Sequence, residues 1–244
     1  YRSNACRRMP CRLCSWLPVC PFCYIGKREL ENALEKTGYK DQVEVELKSY
    51  QLSPDSPATS EIGVYEALAK KYGTTVEQMK VQSEGIIARA ASLGLDYHYE
   101  NMKPANTFKA HRLAKYADSV GKGAEMSERL LKAYFNENKE IGLTEELVDL
   151  GVEVGLERQA IEDVLNDGSF ADDVLSDIQK ASELGVRGVP FFVFDNKYAI
   201  SGAQPGEVFE KAVRQVAKEA GLRPSLKMMG QDGTGICTDG KCEL

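Results

Sequence analysis

The chain has 244 residues, 43% of them hydrophobic and 28% charged, with a formal net charge of −6. These are the proportions of a globular protein long enough to bury a sizeable core. The acidic balance, with no basic stripe interleaved with aromatics after residue 30, argues against a general nucleic-acid role. No apolar run approaches the roughly 20 residues needed to cross a bilayer, so no membrane association is expected.

The first 20 residues hold four arginines and four cysteines but no continuous apolar stretch, and do not read as a secretory signal. A cytoplasmic protein is expected, in a compartment where disulfides are mostly transient and catalytic. Two prolines and clustered arginines in residues 1–18 argue against a central strand there. This segment is expected to be irregular, or not to be the native N-terminus.

After Cys23, the positions of Ile25, Leu30, Ala33 and Leu34 predict an amphipathic helix that Gly38 ends. Val43, Val45 and Leu47 alternate with Glu44, Glu46 and Lys48 as a strand does. Ser53-Pro54-Asp55-Ser56-Pro57 breaks the pattern as a loop. From about Glu61 to Leu184 the periodicity is helical. Thr75 with Gln78 suits a capping box, and Asn106 suits a helix start. Phe191–Phe194 and Tyr198–Ser201 read as two strands around the turn Asp195-Asn196-Lys197, and Pro205 opens a last helix.

The expected organisation is therefore an irregular Cys/Arg-rich segment over 1–18 and a first part of a thioredoxin-like domain over 19–57. A helical insertion follows over 58–184, the second part of the thioredoxin-like domain over 185–222, and a tail over 223–244. The fold class is α/β, a thioredoxin fold with a large all-helical domain inserted.

Seven cysteines fall at the two ends of the chain: Cys6, Cys11, Cys14, Cys20 and Cys23, then Cys237 and Cys242. A structural disulfide framework would be spread through the fold, so this pattern points to chemistry at the ends. Cys20-Pro21-Phe22-Cys23 places two thiols one helical turn apart, able to close a small disulfide. With Cys20 at a helix start, unpaired N–H groups and the helix dipole favour its thiolate. Pro21 fits the first turn, where its missing N–H costs nothing.

This CPFC followed by Tyr24-Ile25-Gly26-Lys27 resembles the active site of the DsbA family of thiol–disulfide oxidoreductases, in its FrnE-like branch. Asn106–Leu113, Gly185–Phe194 and Ile200–Pro205 match the same branch, so the resemblance runs from about Val19 to about Gly221. It implies disulfide exchange, with Cys20 as nucleophile and Cys23 as resolving thiol. It also implies a cis Pro190 whose loop faces the CPFC, and a Val189 backbone that pairs with substrate. The substrate would be a disulfide-containing protein or a small thiol, and a cellular thiol reductant or oxidant would recycle the enzyme. No cofactor and no metal are required.

Other readings stand beside these. Phe22 between the cysteines tunes thiolate stability and substrate access, or merely packs. His111, in the matched Asn106–Leu113 segment, lines the cleft over Cys20, or is structural. Cys237 and Cys242 flank the turn residues Asp239-Gly240 and form an auxiliary redox pair, or are incidental. Cys11, Cys14, Cys20 and Cys23 form a CxxC-x5-CxxC pattern that could hold zinc, but the gap is short and binding would sequester the CPFC thiols. The enzyme rival is a glutathione-dependent isomerase or kappa-class transferase, which uses serine at the first active-site position. The non-enzyme rival is a metal-binding, redox-regulated chaperone module.

Overall fold

The computed structural model describes residues 9–16 and 18–225, with only the backbone described for 9–15. Cys237 and Cys242, and the side chains of Cys11 and Cys14, lie outside that description. The elements run β1 (Met9–Trp16), α1 (Pro21–Thr37), β2 (Val43–Ser49), α2 (Val64–Tyr72), α3 (Val76–Ser92), α4 (Phe108–Ser119), α5 (Gly123–Phe135), α6 (Thr144–Glu153), α7 (Arg158–Asp167), α8 (Ala171–Glu183), β3 (Phe191–Phe194), β4 (Tyr198–Ser201) and α9 (Gly206–Glu219).

The strands form one sheet in the order β2-β1-β3-β4. β1 runs parallel to β2 and antiparallel to β3, and β3 returns antiparallel as β4. The expectation of an irregular segment over 1–18 is corrected here, because Met9–Trp16 is an inner strand of the sheet. Pro10 is tolerated because β3 pairs only with Cys14 and Ser15, at the far end of β1. Opposite Pro10 there is only Glu44 of β2, so the missing N–H disturbs one ladder at most. A register shift between Arg12 and Cys14 further breaks the alternation by which a strand is recognised.

Local signals elsewhere end the helices where their residues dictate. Gly38 takes φ 77° and returns its N–H to Glu35 and Leu34. Thr75 and Gln78 form the reciprocal capping box at α3. At the three-residue β3–β4 turn Asp195 and Asn196 both adopt positive φ, 49° and 52°, a conformation that Asp and Asn tolerate better than most side chains. Asn106 does not cap α4 from the N-cap position, which is Thr107, but its Oδ1 accepts from Phe108 N at 2.9 Å.

α1 is shared between two cores. Its first turn, through Cys23, Tyr24 and Ile25, joins the apolar cluster of the helical block, which includes Leu113, Leu130 and Phe135. Its later turns, through Leu30, Ala33 and Leu34, join a second cluster with Phe192 and Phe194 of the sheet and Phe209 and Val213 of α9. Each fully buried large side chain contributes about 2 kcal/mol of transfer free energy, so the start of α1 is anchored from both sides. The architecture is a DsbA-like thioredoxin fold, with a helical block between β2 and β3.

Candidate active site

The active-site geometry follows from how the chain leaves and re-enters the sheet. β1 ends at Trp16 and the chain reaches Cys20 four residues later, while β3 begins at Phe191 directly after Pro190. Since Ser15 pairs with Phe191 in antiparallel register, both turns emerge at the same end of the sheet. Cys20 then occupies the N-cap of α1 with φ −96° and ψ 114°, Pro21 opens the helix, and Cys23 N donates to Cys20 O at 3.0 Å. The Val189–Pro190 bond is cis. Cys20 Sγ donates to the carbonyl oxygen of Val189 at 3.7 Å.

Both thiols are reduced and nearly covered, Cys20 at 6% exposure and Cys23 at 3%. The Cys20 thiol is held below its ordinary range chiefly by a hydrogen bond from the Cys23 side chain, an effect that burial opposes. Backbone hydrogen bonds from Cys23 and Phe22 at the helix start add to the lowering. No acidic residue lies in the first turn of α1 to cancel this field.

Neighbouring groups hold the turn in place. Tyr97 Oη donates to Pro21 O at 2.8 Å, and its ring stacks on Phe135. Burial pushes the Tyr97 phenol well above its ordinary pKa, so it remains a donor. Gly26 lies against the cis-proline loop; a Cβ there would come 2.9 Å from the Phe192 ring and 3.1 Å from Pro190. Glu128 of α5 gathers three residues of α1: it accepts from Tyr24 Oη at 2.7 Å, Arg28 Nη2 at 2.9 Å, and Lys27 Nζ.

The two sulfurs belong to different cavities. Cys20, with Pro21, Phe22 and Val189, lines a cavity of about 560 Å³ bounded by α2, α3 and the end of α5. Cys23 instead lines a smaller cavity of about 120 Å³ beneath α1, with Pro190, Lys27, Glu31, Lys115 and Asp118 in its wall.

The structure thus brings together Cys20, Cys23, Pro21, Phe22, Val189 and Pro190. It does not bring His111 to them, and the expectation that His111 lines the cleft is corrected. Its ring is fully buried, edge-on to Trp16 at 5.5 Å, with Nε2 2.9 Å from Tyr50 O, and it lines neither cavity. The reason is the helix face: α4 turns His111 toward β1 and the end of β2. Burial pushes its pKa down to about 4, so it is neutral at physiological pH. Sequence reasoning missed Tyr97, Glu128 and the residues of the large cavity other than Cys20, Pro21, Phe22 and Val189. Tyr97 lies outside any regular element, and Glu128 shows only as a surface position on its own helix.

No group of three or more His, Cys, Asp or Glu side chains suited to a metal occurs among the described residues. No helix of the described residues is long and apolar enough to cross a membrane.

A CPFC turn at a helix start, facing a cis-proline loop on a thioredoxin fold, defines the dithiol class of thioredoxin-like proteins. The sequence matches the model of the DSBA-like thioredoxin domain over residues 18–214, and the chain belongs to that family. It is 31% identical over 205 residues to the uncharacterized protein YwbO of Bacillus subtilis (strain 168), covering 82% of this chain and 94% of that one. Its structure is similar to the probable DsbA oxidoreductase SCO1869 from Streptomyces coelicolor, at TM-score 0.78 and 34% identity, over 93% and 95% of the two chains. It also shares its fold with the cytosolic disulfide reductase DsbM from Pseudomonas aeruginosa, solved with GSH, at TM-score 0.56 and 16% identity over 84% and 94%.

Proposed function

We propose that the chain is a thiol–disulfide oxidoreductase acting through Cys20 and Cys23. The observation that carries this reading is the place of Cys20 at the N-cap of α1, with its sulfur on the large cavity and against Val189 O. The Cys20 thiolate attacks one sulfur of a substrate disulfide. A Cys20–substrate disulfide forms and the other substrate sulfur leaves as a thiolate, which takes up a proton. The Cys23 thiol then loses its proton and attacks Cys20 Sγ, forming the Cys20–Cys23 disulfide and releasing the second substrate thiol. Two electrons pass from the protein dithiol to the substrate, and a cellular thiol reductant restores the dithiol. Run in reverse, with an oxidant, the same steps oxidise substrate thiols.

Val189 contributes its backbone, and Pro190 shapes the loop that presents it. Phe22 and Pro21 form the lip of the cavity beside Cys20. The substrate class is a disulfide-containing protein or a small thiol, and a cytoplasmic setting belongs to the same reading. The glutathione-dependent isomerase alternative calls for a serine where this chain has Cys20.

The test is the pH-dependent alkylation rate of each cysteine in the reduced protein, resolved by peptide mass spectrometry. Cys20 is expected to react fastest, with an apparent pKa well below about 8.5. An ordinary or unreactive Cys20, or full disulfide exchange in Cys20→Ser, overturns the reading.

A further inference from the structure

We propose, resting on the exchange reading above, that the preferred disulfide is a low-molecular-weight molecule with a bulky apolar body and a single acidic group. The large cavity is the site, and Lys71 is its selectivity residue.

Size is the first argument. About 560 Å³ adjoins Cys20, within the range of sites that enclose a whole small molecule. A single leucine or phenylalanine side chain from a passing polypeptide strand would leave most of it empty. An empty apolar cavity forfeits the contacts that make burial favourable.

The lining is the second argument. Its floor consists of buried Met79, Met102, Tyr99, Tyr134 and Phe135. Its mouth carries large apolar side chains left in water: Phe22 at 40% exposure, Leu52 at 47% and Tyr72 at 65%. Solvent-facing apolar groups clustered around a concave site mark a place where an apolar ligand is covered. The two methionines can adapt to an irregular body without strain.

Charge is the third. Among the described lining residues Lys71 is the only charged one. Its sole described polar contact is Ser53 Oγ at 3.5 Å, and no described carboxylate pairs with it. In a chain of net charge −6 a long-range pull on anions is absent, so preference for an acid must be made locally, within the screening length of about 8 Å at physiological ionic strength. One cation in an apolar cavity matches one acidic group. A zwitterion or a dication would bring an unmatched positive charge to it.

The test uses the reduced full chain and lipoate, lipoamide and bis(2-hydroxyethyl) disulfide as probes. Single-turnover oxidation of the Cys20–Cys23 dithiol is measured, and each rate constant is divided by that of dithiothreitol with the same disulfide. The S–S bond of the probe breaks, the protein disulfide forms, and two electrons and two protons pass to the probe, which leaves as a dithiol from lipoate or lipoamide and as two molecules of 2-mercaptoethanol from bis(2-hydroxyethyl) disulfide. Both lipoyl probes are expected to exceed bis(2-hydroxyethyl) disulfide on this scale by tenfold or more, on the order of the burial of two CH₂ groups. Lipoate is expected to exceed lipoamide about threefold, the size of an exposed charge pair. Lys71→Met should bring the lipoate-to-lipoamide ratio to one, and high salt should do the same to the wild type. Ile86→Trp, or Ala67→Leu should the first fail to fold, should reduce the ratio of lipoamide to bis(2-hydroxyethyl) disulfide.

Equal normalised rates for all three probes, or a lipoate-to-lipoamide ratio unmoved by Lys71→Met, overturn the proposal. So does a clear preference for an unfolded-protein disulfide over the lipoyl probes. Failure to oxidise Cys20 with any probe would instead refute the exchange reading itself, so the two failures are distinct.

Discussion

The sulfur of Cys20 and the carbonyl oxygen of Val189, 169 residues apart in the chain, lie 3.7 Å from each other. The contact exists because β1 and β3 are antiparallel neighbours whose adjoining turns emerge at one end of the sheet. An incoming disulfide aligned along the Val189 backbone would therefore meet the thiol directly. This contact also fixes which thiol is presented, since Cys23 faces the other cavity.

Cys23 is expected to control the acidity of Cys20, because the hydrogen bond from its side chain is the largest lowering influence. Cys23→Ala should raise the Cys20 pKa toward its ordinary value, whereas Cys23→Ser, which keeps a donor, should raise it less. Both should trap the mixed disulfide with substrate. Thiolate absorbance near 240 nm, followed against pH, measures the first effect, and intact-protein mass measures the second. Equal pKa values in all three proteins would remove the assigned role of the Cys23 thiol.

Gly26→Ala should harm the site through packing. Its Cβ would come 2.9 Å from Phe192, at the start of β3, and 3.1 Å from Pro190, in the loop that faces Cys20. Overpacking of this kind costs about 1–3 kcal/mol, and exchange should slow as the loop shifts. Urea unfolding together with the single-turnover rate tests this; unchanged stability and rate would show that the loop yields freely.

Glu128→Gln should loosen the helical block from α1. Burial works to raise the pKa of the Glu128 carboxyl, but Lys27, Tyr24 and Arg28 outweigh it and hold the group ionised. The cluster is partly exposed, so the loss is about 1–2 kcal/mol rather than the larger value of a buried pair. A lowered urea midpoint with unchanged slope is the expected readout, and the difference should shrink in high salt.

Stability should fall on acidification through His111. Its folded pKa, depressed by burial to about 4, lies below the ordinary 6.5. The neutral ring is therefore favoured in the folded state. The contribution is fully present above pH 6.5 and is lost as pH falls toward 4, because the unfolded chain takes up the proton first. The span is about 3 kcal/mol at most. Lys115, which lowers the pKa, and Asp177, which raises it, also face the ring. His111→Gln should be less stable at pH 7 and flatter between pH 6.5 and 4 in urea titrations. An equally steep profile in the variant would assign the acid sensitivity to other groups.

The sequence by itself determined the local features: the CPFC turn with Pro21 at the helix start, the glycine that closes α1, the capping box of α3 and the β3–β4 hairpin. Each is encoded by residues within a few positions of one another, where backbone preference and hydrogen-bonding reach are enough. Only the tertiary structure decided that Met9–Trp16 enters the sheet. That depends on the ladder with β2 and on how little of β1 the antiparallel neighbour β3 covers, and neither is a property of the segment. The placement of His111 against Trp16 and Tyr50, the gathering of Tyr24, Lys27 and Arg28 by Glu128, and the facing of the two sulfurs into separate cavities are of the same kind. They arise from contacts between residues tens to hundreds of positions apart, fixed by packing and burial and leaving no periodic trace in the chain.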